Sequence, residues 1–299
     1  MSRAWTADDA AVAARDALVT LGMEARELQL LRLGENALYR VMSTDLLLRV
    51  ARTGANPHDI ARTVAAATVL RASGIPVCEP VALDGPMVFE NGVVSVWKYY
   101  AERSNGQVDF RGFGRILKKL HADSDELASV LPNWDPLGTI RRRLRLATAI
   151  QVPDGWVHDL ARRTDDFENV LTRFEPQLST GVIHGDAHTG NLVDSVDGQI
   201  LIDLDDLANG PQDADFAPTI VQMRRFGLAA DRWVDLTTGY GLADPSILHN
   251  SPLVRLRELF MLVWLLQQYG NSAAIDEEIK LRVESLDDRA GSLTRWNAR

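Results

Sequence analysis

A short polar segment between apolar runs constrains the fold of this 299-residue chain more than any other feature. It reads His-Gly-Asp-Ala-His-Thr-Gly-Asn at residues 184–191, and Asp203 follows twelve residues after Asn191. The runs on both sides of the segment, and the run that leads to Asp203, are rich in Val, Ile and Leu, which predicts strands joined by a loop. The polar side chains are therefore expected at strand ends, where loops can bring them together.

Three oxygen-bearing side chains at this spacing suit one kind of chemistry. A carboxylate such as Asp186 can accept the proton of an attacking hydroxyl. The amide oxygen of Asn191 and the carboxylate of Asp203 are hard ligands of the kind that Mg²⁺ prefers. Phosphoryl transfer needs positioning and charge cancellation more than covalent chemistry. The spacing therefore predicts Asp186 as a catalytic base and Asn191 and Asp203 as metal ligands.

Several neighbouring side chains have more than one reading. His184 is expected to order the loop backbone. His188 either touches a substrate phosphate or caps the loop. Asp205 and Asp206 either assist the metal site or are solvated turn residues, the latter especially for Asp206. Asp215 either braces the loop by accepting hydrogen bonds or caps a helix.

The composition limits the partners and the location. The net charge of −9 and the isoelectric point near 5.2 argue against a nucleic-acid partner. The single cysteine, Cys78, excludes an internal disulfide and is typical of a reducing compartment. The first residues lack a signal peptide's apolar stretch, and the longest apolar run, 259–266, is too short to cross a bilayer. We therefore expect a cytoplasmic protein, a monomer or a homodimer, that does not bind membranes.

Acidic residues in the second part of the chain suggest what the substrate is. Most of the net negative charge lies after residue 96, and such a surface could attract a cationic small molecule. The alternative is that these acids only keep the protein dissolved. The acids considered for contact with a polyamine are Asp231, Asp235, Glu258, Asp276, Glu277 and Glu278.

The pattern of turns and periodicities predicts an α+β chain with two lobes. Residues 1–96 form a small, mainly β lobe with one long helix, residues 97–101 a hinge, and residues 102–299 a larger, mainly helical lobe. In the first lobe we expect helices at 7–21 and 59–72 and strands at 28–50 and up to residue 97. In the second lobe we expect helices at 110–122, 137–150, 156–177 and 253–268, with Phe260 and Trp264 packed in the core.

Two features of the first lobe are suited to binding a nucleotide. The turn at Gly34, followed by Asn36, joins two strands and could lay backbone amides over phosphates, although it also resembles an ordinary hairpin. Arg49 lies on the next strand, at the position of a phosphate-binding cation, and its guanidinium can bind phosphate through paired hydrogen bonds. The alternative for Arg49 is a surface residue at a strand edge.

These motifs together resemble the aminoglycoside phosphotransferase family, the small-molecule branch of the protein-kinase-like fold. The matching segments are Gly-Glu-Asn-Ala-Leu-Tyr at 34–39, Leu-Arg-Val at 48–50, Gly-Ile-Pro-Val at 74–77, Leu-His-Ala at 120–122, the segment at 184–191 and Leu-Ile-Asp at 201–203. They follow the family order and cover roughly residues 30–220. The resemblance implies a bilobal fold that uses ATP, or GTP in its place, with Mg²⁺, to phosphorylate a hydroxyl of a small molecule.

The resemblance also assigns roles to individual residues. It makes Asp186 the base, Asn191 and Asp203 the metal ligands and Arg49 the phosphate contact. It makes the stretch from Trp97 to Tyr100 the hinge that holds adenine, with Trp97 and Tyr99 as nucleotide-binding residues beside Gly34 and Asn36.

One position departs from the family pattern. The helix after the Arg49 strand normally carries a glutamate that pairs with the phosphate-binding cation. Alignment on the Gly-Ile-Pro at 74–76 puts Thr63 at this position, and residues 60–78 contain no acid. Either Asp59, one turn earlier, replaces the glutamate, or Arg49 lacks this partner.

Other functions fit part of the pattern. The acceptor is either a cationic molecule, such as an aminoglycoside or peptide antibiotic, or a metabolic alcohol or sugar. His184, Asp186, His188 and Asp203 could instead form the transition-metal cluster of a hydrolase. The missing helix glutamate leaves open a nucleotide-binding pseudoenzyme.

Overall fold

The computed structural model describes residues 5–24, 26–103, 108–288 and 294–297. The chain divides into two compact units. The first unit comprises Met1–Asp109 and Gly190–Leu207, and the second comprises Phe110–Thr189 and Ala208–Arg299. The first is mainly β and the second mainly helical, so the predicted α+β class is confirmed. The predicted hinge at residues 97–101 stays a prediction.

The first unit is built on a five-stranded antiparallel sheet with the strand order β1-β2-β3-β5-β4. Its elements are α1 (Ala7–Thr20), β1 (Leu28–Leu33), β2 (Asn36–Val41), β3 (Leu46–Ala51), α2 (Pro57–Ala72), β4 (Met87–Phe89) and β5 (Gly92–Lys98). The strands and both helices predicted for this region are therefore confirmed within a few residues.

Helix α1 covers one face of this sheet with small side chains. Thr6 and Asp9 form a capping box that starts the helix. Its fully buried face consists of alanines, which pack with the inward side chains of β2 and β3. The Tyr39 hydroxyl donates to the Ala7 carbonyl at 2.9 Å. This bond joins the start of the helix to the sheet.

A two-stranded hairpin from later in the chain also belongs to the first unit. It consists of β7 (Leu192–Ser195) and β8 (Gly198–Leu201). The Leu201 amide donates to the Pro76 carbonyl at 2.8 Å, and the Cys78 amide donates to the Leu201 carbonyl at 2.9 Å. These bonds attach the hairpin to the segment that follows α2.

The second unit carries most of the helices. They are α3 (Phe110–Ala122), α4 (Asp125–Ala128), α5 (Pro136–Ala149), α6 (Asp154–Thr172), α7 (Ala217–Phe226), α8 (Ala230–Tyr240), α9 (Pro252–Leu265) and α10 (Ala273–Ser285). A short antiparallel pair, β6 (Thr180–Ile183) and β9 (Ala208–Pro211), lies among them. No helix in the described parts of the chain has both the length and the apolar character needed to cross a membrane.

Helices α3 and α8 pack closely because each has a glycine at the crossing. A Cβ on Gly114 would lie 2.0 Å from the Leu236 carbonyl oxygen, and one on Gly239 would lie 2.0 Å from the Arg111 carbonyl oxygen. Neither site has room for a side chain. The crossing fixes the position of α3, whose last turn carries His121.

Two expectations for the helical region are wrong in detail. The helix predicted at 156–177 ends at Thr172, ahead of the sequence Phe-Glu-Pro-Gln, because a proline disfavours helical geometry in the residue before it. Phe260 and Trp264 are half-buried and do not lie in the core. The buried stripe of α9 runs through residues such as Leu259 and Leu262, so these two aromatic residues lie at its side.

Candidate active site

The polar segment starts where β6 ends, and Asp215 holds its backbone. One oxygen of the Asp215 carboxylate accepts a hydrogen bond from the His184 amide at 2.7 Å, and the other accepts one from the Gly185 amide at 2.9 Å. Gly185 has a positive φ of 83°, which only glycine adopts at little cost. Asp215 is fully buried. Asp215 therefore braces the loop, which is one of its two predicted roles. It does not cap α7, which starts after Phe216 without a side-chain cap.

Asp215 is itself fixed by a buried histidine. His121 Nε2 lies 3.0 Å from the Asp215 carboxylate, and His121 Nδ1 lies 3.0 Å from the Tyr240 hydroxyl. Burial, followed by the nearby negative charge of Asp215, raises the pKa of Tyr240 to about 12, so the phenol keeps its proton at neutral pH. A carboxylate only accepts hydrogen bonds, so His121 donates to Asp215 through Nε2. This chain of bonds connects α3 and α8 to the loop.

His184 has the backbone-ordering role that we expected. Its side chain is fully buried. Its Nδ1 accepts a hydrogen bond from the Asp186 amide at 3.2 Å. The bond fixes the backbone of the residue whose carboxylate is the candidate base.

Two cationic or potentially cationic groups contact the Asp186 carboxylate. An Arg257 amino group donates to Oδ1, and His188 Nε2 lies 3.4 Å from Oδ2. Burial by itself would raise the pKa of Asp186, but the Arg257 charge and the His188 hydrogen bond outweigh it, so this pKa lies well below the ordinary value for aspartate. Asp186 is therefore a carboxylate at neutral pH. His188 contacts the candidate base, and both of its predicted roles stay predictions.

The first unit brings Asn191 and Asp203 together. The Ile202 amide donates to the Asn191 carbonyl at 2.9 Å, across the open end of the β7–β8 hairpin. Asn191 is buried, and Asp203, next to Ile202, is about half exposed. Two residues twelve positions apart in the sequence thus become neighbours.

Asp203 has a backbone conformation that few side chains adopt. Its φ of 61° and ψ of 64° lie in the left-handed region, which Asp and Asn tolerate better than other non-glycine residues. It starts the short 3₁₀ turn Leu204–Asp206. Unusual backbone geometry of this kind is frequent where a side chain must point toward a ligand.

Arg49 forms an ion pair with the same turn. Its register partners are Leu38 on β2 and Ser95 on β5. Its guanidinium donates to both oxygens of Asp205, one at 2.5 Å, and lies 3.5 Å from Asp203 Oδ1. Burial opposes the charge, but the hydrogen bonds to Asp205 outweigh it and raise the pKa of Arg49 above its ordinary value.

Of the two alternatives for the missing helix glutamate, replacement by Asp59 is wrong. Asp59 pairs with Arg62 at 2.9 Å and accepts from the Asn56 side chain at 3.1 Å. The Thr63 hydroxyl donates to the Asp59 carbonyl at 3.2 Å, within the helix. Asp205 pairs with Arg49 instead, from a turn that is distant in the sequence.

Gly34 and Asn36 lie at the turn between β1 and β2, as expected. The Gly34 amide donates to the Asn36 carbonyl at 3.0 Å, so this amide is used within the hairpin. Asn36 starts β2 and is paired with Ala51 on β3. Their contact with a nucleotide stays a prediction.

Trp97 and Tyr99 make internal contacts. Trp97 is buried, and its indole donates to the Ser95 hydroxyl at 2.8 Å. The Tyr99 amide donates to the Asp45 carbonyl at 2.8 Å, and the Arg40 guanidinium lies 4.3 Å from the Tyr99 ring centre. The role of these two residues in holding adenine stays a prediction.

The hydrolase alternative needs a cluster of metal-binding side chains. Among the described residues, no group of three or more His, Cys, Asp or Glu side chains could hold a metal ion. The Nδ1 of buried His184 already accepts the Asp186 amide. This nitrogen of His184 is therefore engaged within the loop.

Most of the acids proposed for a polyamine are used within the protein. Glu258 and Glu278 are buried and pair with arginines of their own unit. The pairs and hydrogen bonds are Asp231 with Arg232, Asp235 with Arg111, Glu258 with Arg225, Glu278 with Arg282, and Asp276 with the Gly270 amide. The net charge is therefore weak support for a cationic acceptor.

The fold and the motifs of this chain match one known family of proteins. The family model described as the phosphotransferase enzyme family, APH, matches residues 27–245. The chain belongs to this family, which confirms the resemblance drawn from the motifs.

Individual relatives are more distant. Stress response kinase A of Salmonella paratyphi A is 27% identical over 135 residues, which cover 42% of this chain and 39% of that protein. The match thus spans well under half of that relative's length. Amicoumacin kinase hAmiN, solved with AMP-PNP, Ca²⁺ and Ami, has a TM-score of 0.72 at 16% identity and covers 96% of this chain and 98% of its own. A microcompartment-associated aminopropanol kinase has a TM-score of 0.68 at 22% identity, with 92% and 94% covered. These likenesses establish the fold.

Sequence reasoning missed two contacts at the site. It considered Asp205 for the metal site or as a solvated turn residue, and it gave Arg257 no role. The sequence signal for Arg257 is its position in a largely apolar helix. A charged side chain near a core needs a partner. That pattern does not name the partner.

Proposed function

We propose that the chain transfers the γ-phosphoryl group of ATP, or of GTP, to a hydroxyl of a small molecule. The observation that carries the proposal is the arrangement of residues at the open end of the β7–β8 hairpin. There Asn191 lies beside Ile202 and Asp203, in the unit that also holds the Arg49–Asp205 pair. This arrangement supplies an amide oxygen, carboxylates and a guanidinium within one compact unit.

The donor set fits a nucleotide with Mg²⁺. Asn191 and Asp203 would hold the metal through oxygen atoms, the ligands that Mg²⁺ prefers. When bound, the ion neutralises charge on the phosphate oxygens. Arg49, oriented by Asp205, would bind a phosphate oxygen through its remaining hydrogen-bond capacity. Gly34, Asn36, Trp97 and Tyr99 are the proposed contacts to the rest of the nucleotide.

Asp186 is the proposed base. The hydroxyl oxygen of the acceptor forms a bond to the γ-phosphorus, and the bond from that phosphorus to the bridging oxygen of the β-phosphate breaks. The hydroxyl proton passes to Asp186. The Asp215 brace and the bond from the Asp186 amide to His184 support this role because they fix the loop in advance.

The acceptor is proposed only as a small hydroxylated molecule. A cationic antibiotic, a metabolic alcohol and a sugar remain the candidates that the sequence suggests. The internal pairing of the acids reduces the support for the first of these.

Two measurements test the proposal. Calorimetry with Mg²⁺ and ATP should show binding that falls at least 10-fold in Asp203→Ala, since loss of even an outer-shell partner of a metal ligand typically costs about 10- to 100-fold in affinity. The exposed control Asp197→Ala should bind normally. Release of ADP or GDP across aminoglycosides, peptide antibiotics, amino alcohols and sugars should then depend on the acceptor. Nucleotide binding without release for any acceptor class would favour the pseudoenzyme, and equal binding by both variants would refute the metal role.

A further inference from the structure

Arg257 contacts Asp186, the proposed base. Its side chain is 13% exposed, and one amino group donates to Asp186. Its Nε is buried and has no hydrogen-bond partner among the described residues. Helix α9 thus presents a guanidinium to Asp186 with part of its hydrogen-bonding capacity unused.

An unused donor of this kind carries a free-energy penalty. A guanidinium has five N–H donors, and a buried donor without a partner loses its hydration without compensation, which is more costly for a charged group. Most buried polar groups in native proteins are satisfied. The position of Arg257 is therefore easier to explain if a further acceptor group is present during function.

A second guanidinium, that of Arg143, lies near the same aromatic ring as the Arg257 guanidinium. The Arg143 guanidinium carbon is 4.6 Å from the Phe260 ring centre, and that of Arg257 is 5.5 Å away. Asp186 compensates the charge of Arg257, but two guanidiniums around one ring still disfavour a further cation at this place. This part of the second unit is therefore poorly suited to a cationic acceptor.

The Asp186–Arg257 contact also restricts the acceptor. While Arg257 donates to Oδ1 and His188 lies near Oδ2, both oxygens of the base are engaged. A carboxylate of the acceptor could take over bonds from the guanidinium, which matches carboxylates in shape. The hydroxyl of the same molecule would then have access to Asp186.

We propose that Arg257 binds an oxyanion of the acceptor, and that the preferred acceptor is a hydroxy acid with its hydroxyl at Asp186 and its carboxylate on Arg257. This inference rests on the proposed function, since it names the acceptor class of the same site. It replaces the cationic acceptor that the net charge suggested.

The test compares matched acceptors that differ in one group. Glycerate is compared with glycerol, pantothenate with panthenol and gluconate with sorbitol, and choline and 1-amino-2-propanol serve as cationic acceptors. Turnover is followed by nucleotide release, and acceptor binding by calorimetry in the presence of AMP-PNP. The proteins are the wild type, Arg257→Gln, Arg257→Lys and the control Arg255→Gln. Arg255 lies on the same helix but donates to the Leu286 carbonyl.

The wild type should favour the acid over the alcohol in at least one pair. Arg257→Gln should weaken binding of that acid about 10- to 100-fold, as expected for one charge-assisted contact. Arg257→Lys should keep part of the preference because it keeps the charge, and Arg255→Gln should match the wild type. Thermal unfolding of each variant identifies any that does not fold.

The possible failures can be told apart. If neutral or cationic acceptors are preferred and Arg257→Gln leaves their order unchanged, the inference is wrong while the proposed function stands. If an acid binds through Arg257 but no phosphate is transferred, the proposed function fails and the binding role stands. If no acid binds or reacts, the inference is overturned.

Discussion

At the scale of single residues, the site depends on carboxylates that hold other groups in place. Asp215 orders the loop, Asp205 orders Arg49, and Asp186 is held by Arg257. Each of these aspartates lies far in the sequence from its partner. Their effects on activity should therefore separate cleanly from those of nearby acids.

Loss of the Asp205 carboxylate should reduce turnover, whereas loss of the Asp59 carboxylate should not. Removing the Asp205 carboxylate leaves Arg49 without its paired hydrogen bonds, so its orientation toward phosphate is lost. We expect Asp205→Ala to lower kcat/KM for ATP about 10-fold or more, the magnitude of a charge-assisted hydrogen bond. Asp59→Ala, at the position first considered for this role, should match the wild type in steady-state kinetics. The opposite order of effects would refute the pairing.

Arg257 should also set the pH response of Asp186. The folded-state pKa of Asp186 is depressed, so its carboxylate form persists as the pH falls below the ordinary value for aspartate. Arg257→Gln removes the largest favourable charge and leaves the burial that raises the pKa. The acid limb of the pH profile of kcat/KM should move to higher pH in this variant, whereas Arg255→Gln should leave it in place. A limb that does not move would contradict the electrostatic coupling.

At the scale of elements, local sequence patterns predict the helices and strands better than they predict the contacts between them. The strands around Gly34 and the helix at 110–122 follow directly from alternation, turn residues and periodicity. The hairpin that brings Asn191 to Asp203 was predicted only as strands, because pairing depends on tertiary contacts. The Arg49–Asp205 pair and the place of Arg257 join residues more than 70 positions apart. No periodicity in one sequence encodes such contacts.

The crossing of α3 and α8 should be intolerant of any side chain. Gly114→Ala would put a Cβ 2.0 Å from a backbone oxygen, so the helices must separate. We expect a loss of about 1–3 kcal/mol in the free energy of unfolding, typical of overpacking. Gly155→Ala is the matched control, because its Cβ would meet nothing within 4 Å and alanine favours a helix. Chemical denaturation measures both, and equal stability of the two variants would contradict the close packing.

At the scale of the whole molecule, the two units should respond separately to local damage. In the second unit, the Trp296 ring lies 4.7 Å from the Arg225 guanidinium and 4.9 Å from that of Arg282, and its indole donates to Ser285. Arg225 also binds buried Glu258, the neighbour of Arg257 on α9. The residues around Trp296 thus support the helix that faces Asp186.

Trp296→Ala should destabilise the second unit by about 3–5 kcal/mol, the usual range for a buried tryptophan. Hydrogen exchange should quicken in α7, α9 and α10 and stay unchanged in β2, β3 and β5. Trp5→Ala is the counterpart, because Trp5 donates to Asn91 within the first unit. Uniform quickening across both units in each variant would show that they do not respond separately.

The central claim is phosphoryl transfer with Asp186 as the base. The most direct measurement is single-turnover transfer of labelled phosphate from ATP to an acceptor found in the panel, in the wild type, Asp186→Ala and the exposed control Asp165→Ala. Asp186→Ala should bind ATP normally and react about 10²- to 10⁴-fold more slowly, the usual contribution of a general base. Asp165→Ala should react at the wild-type rate. Near-normal transfer by Asp186→Ala would contradict the account.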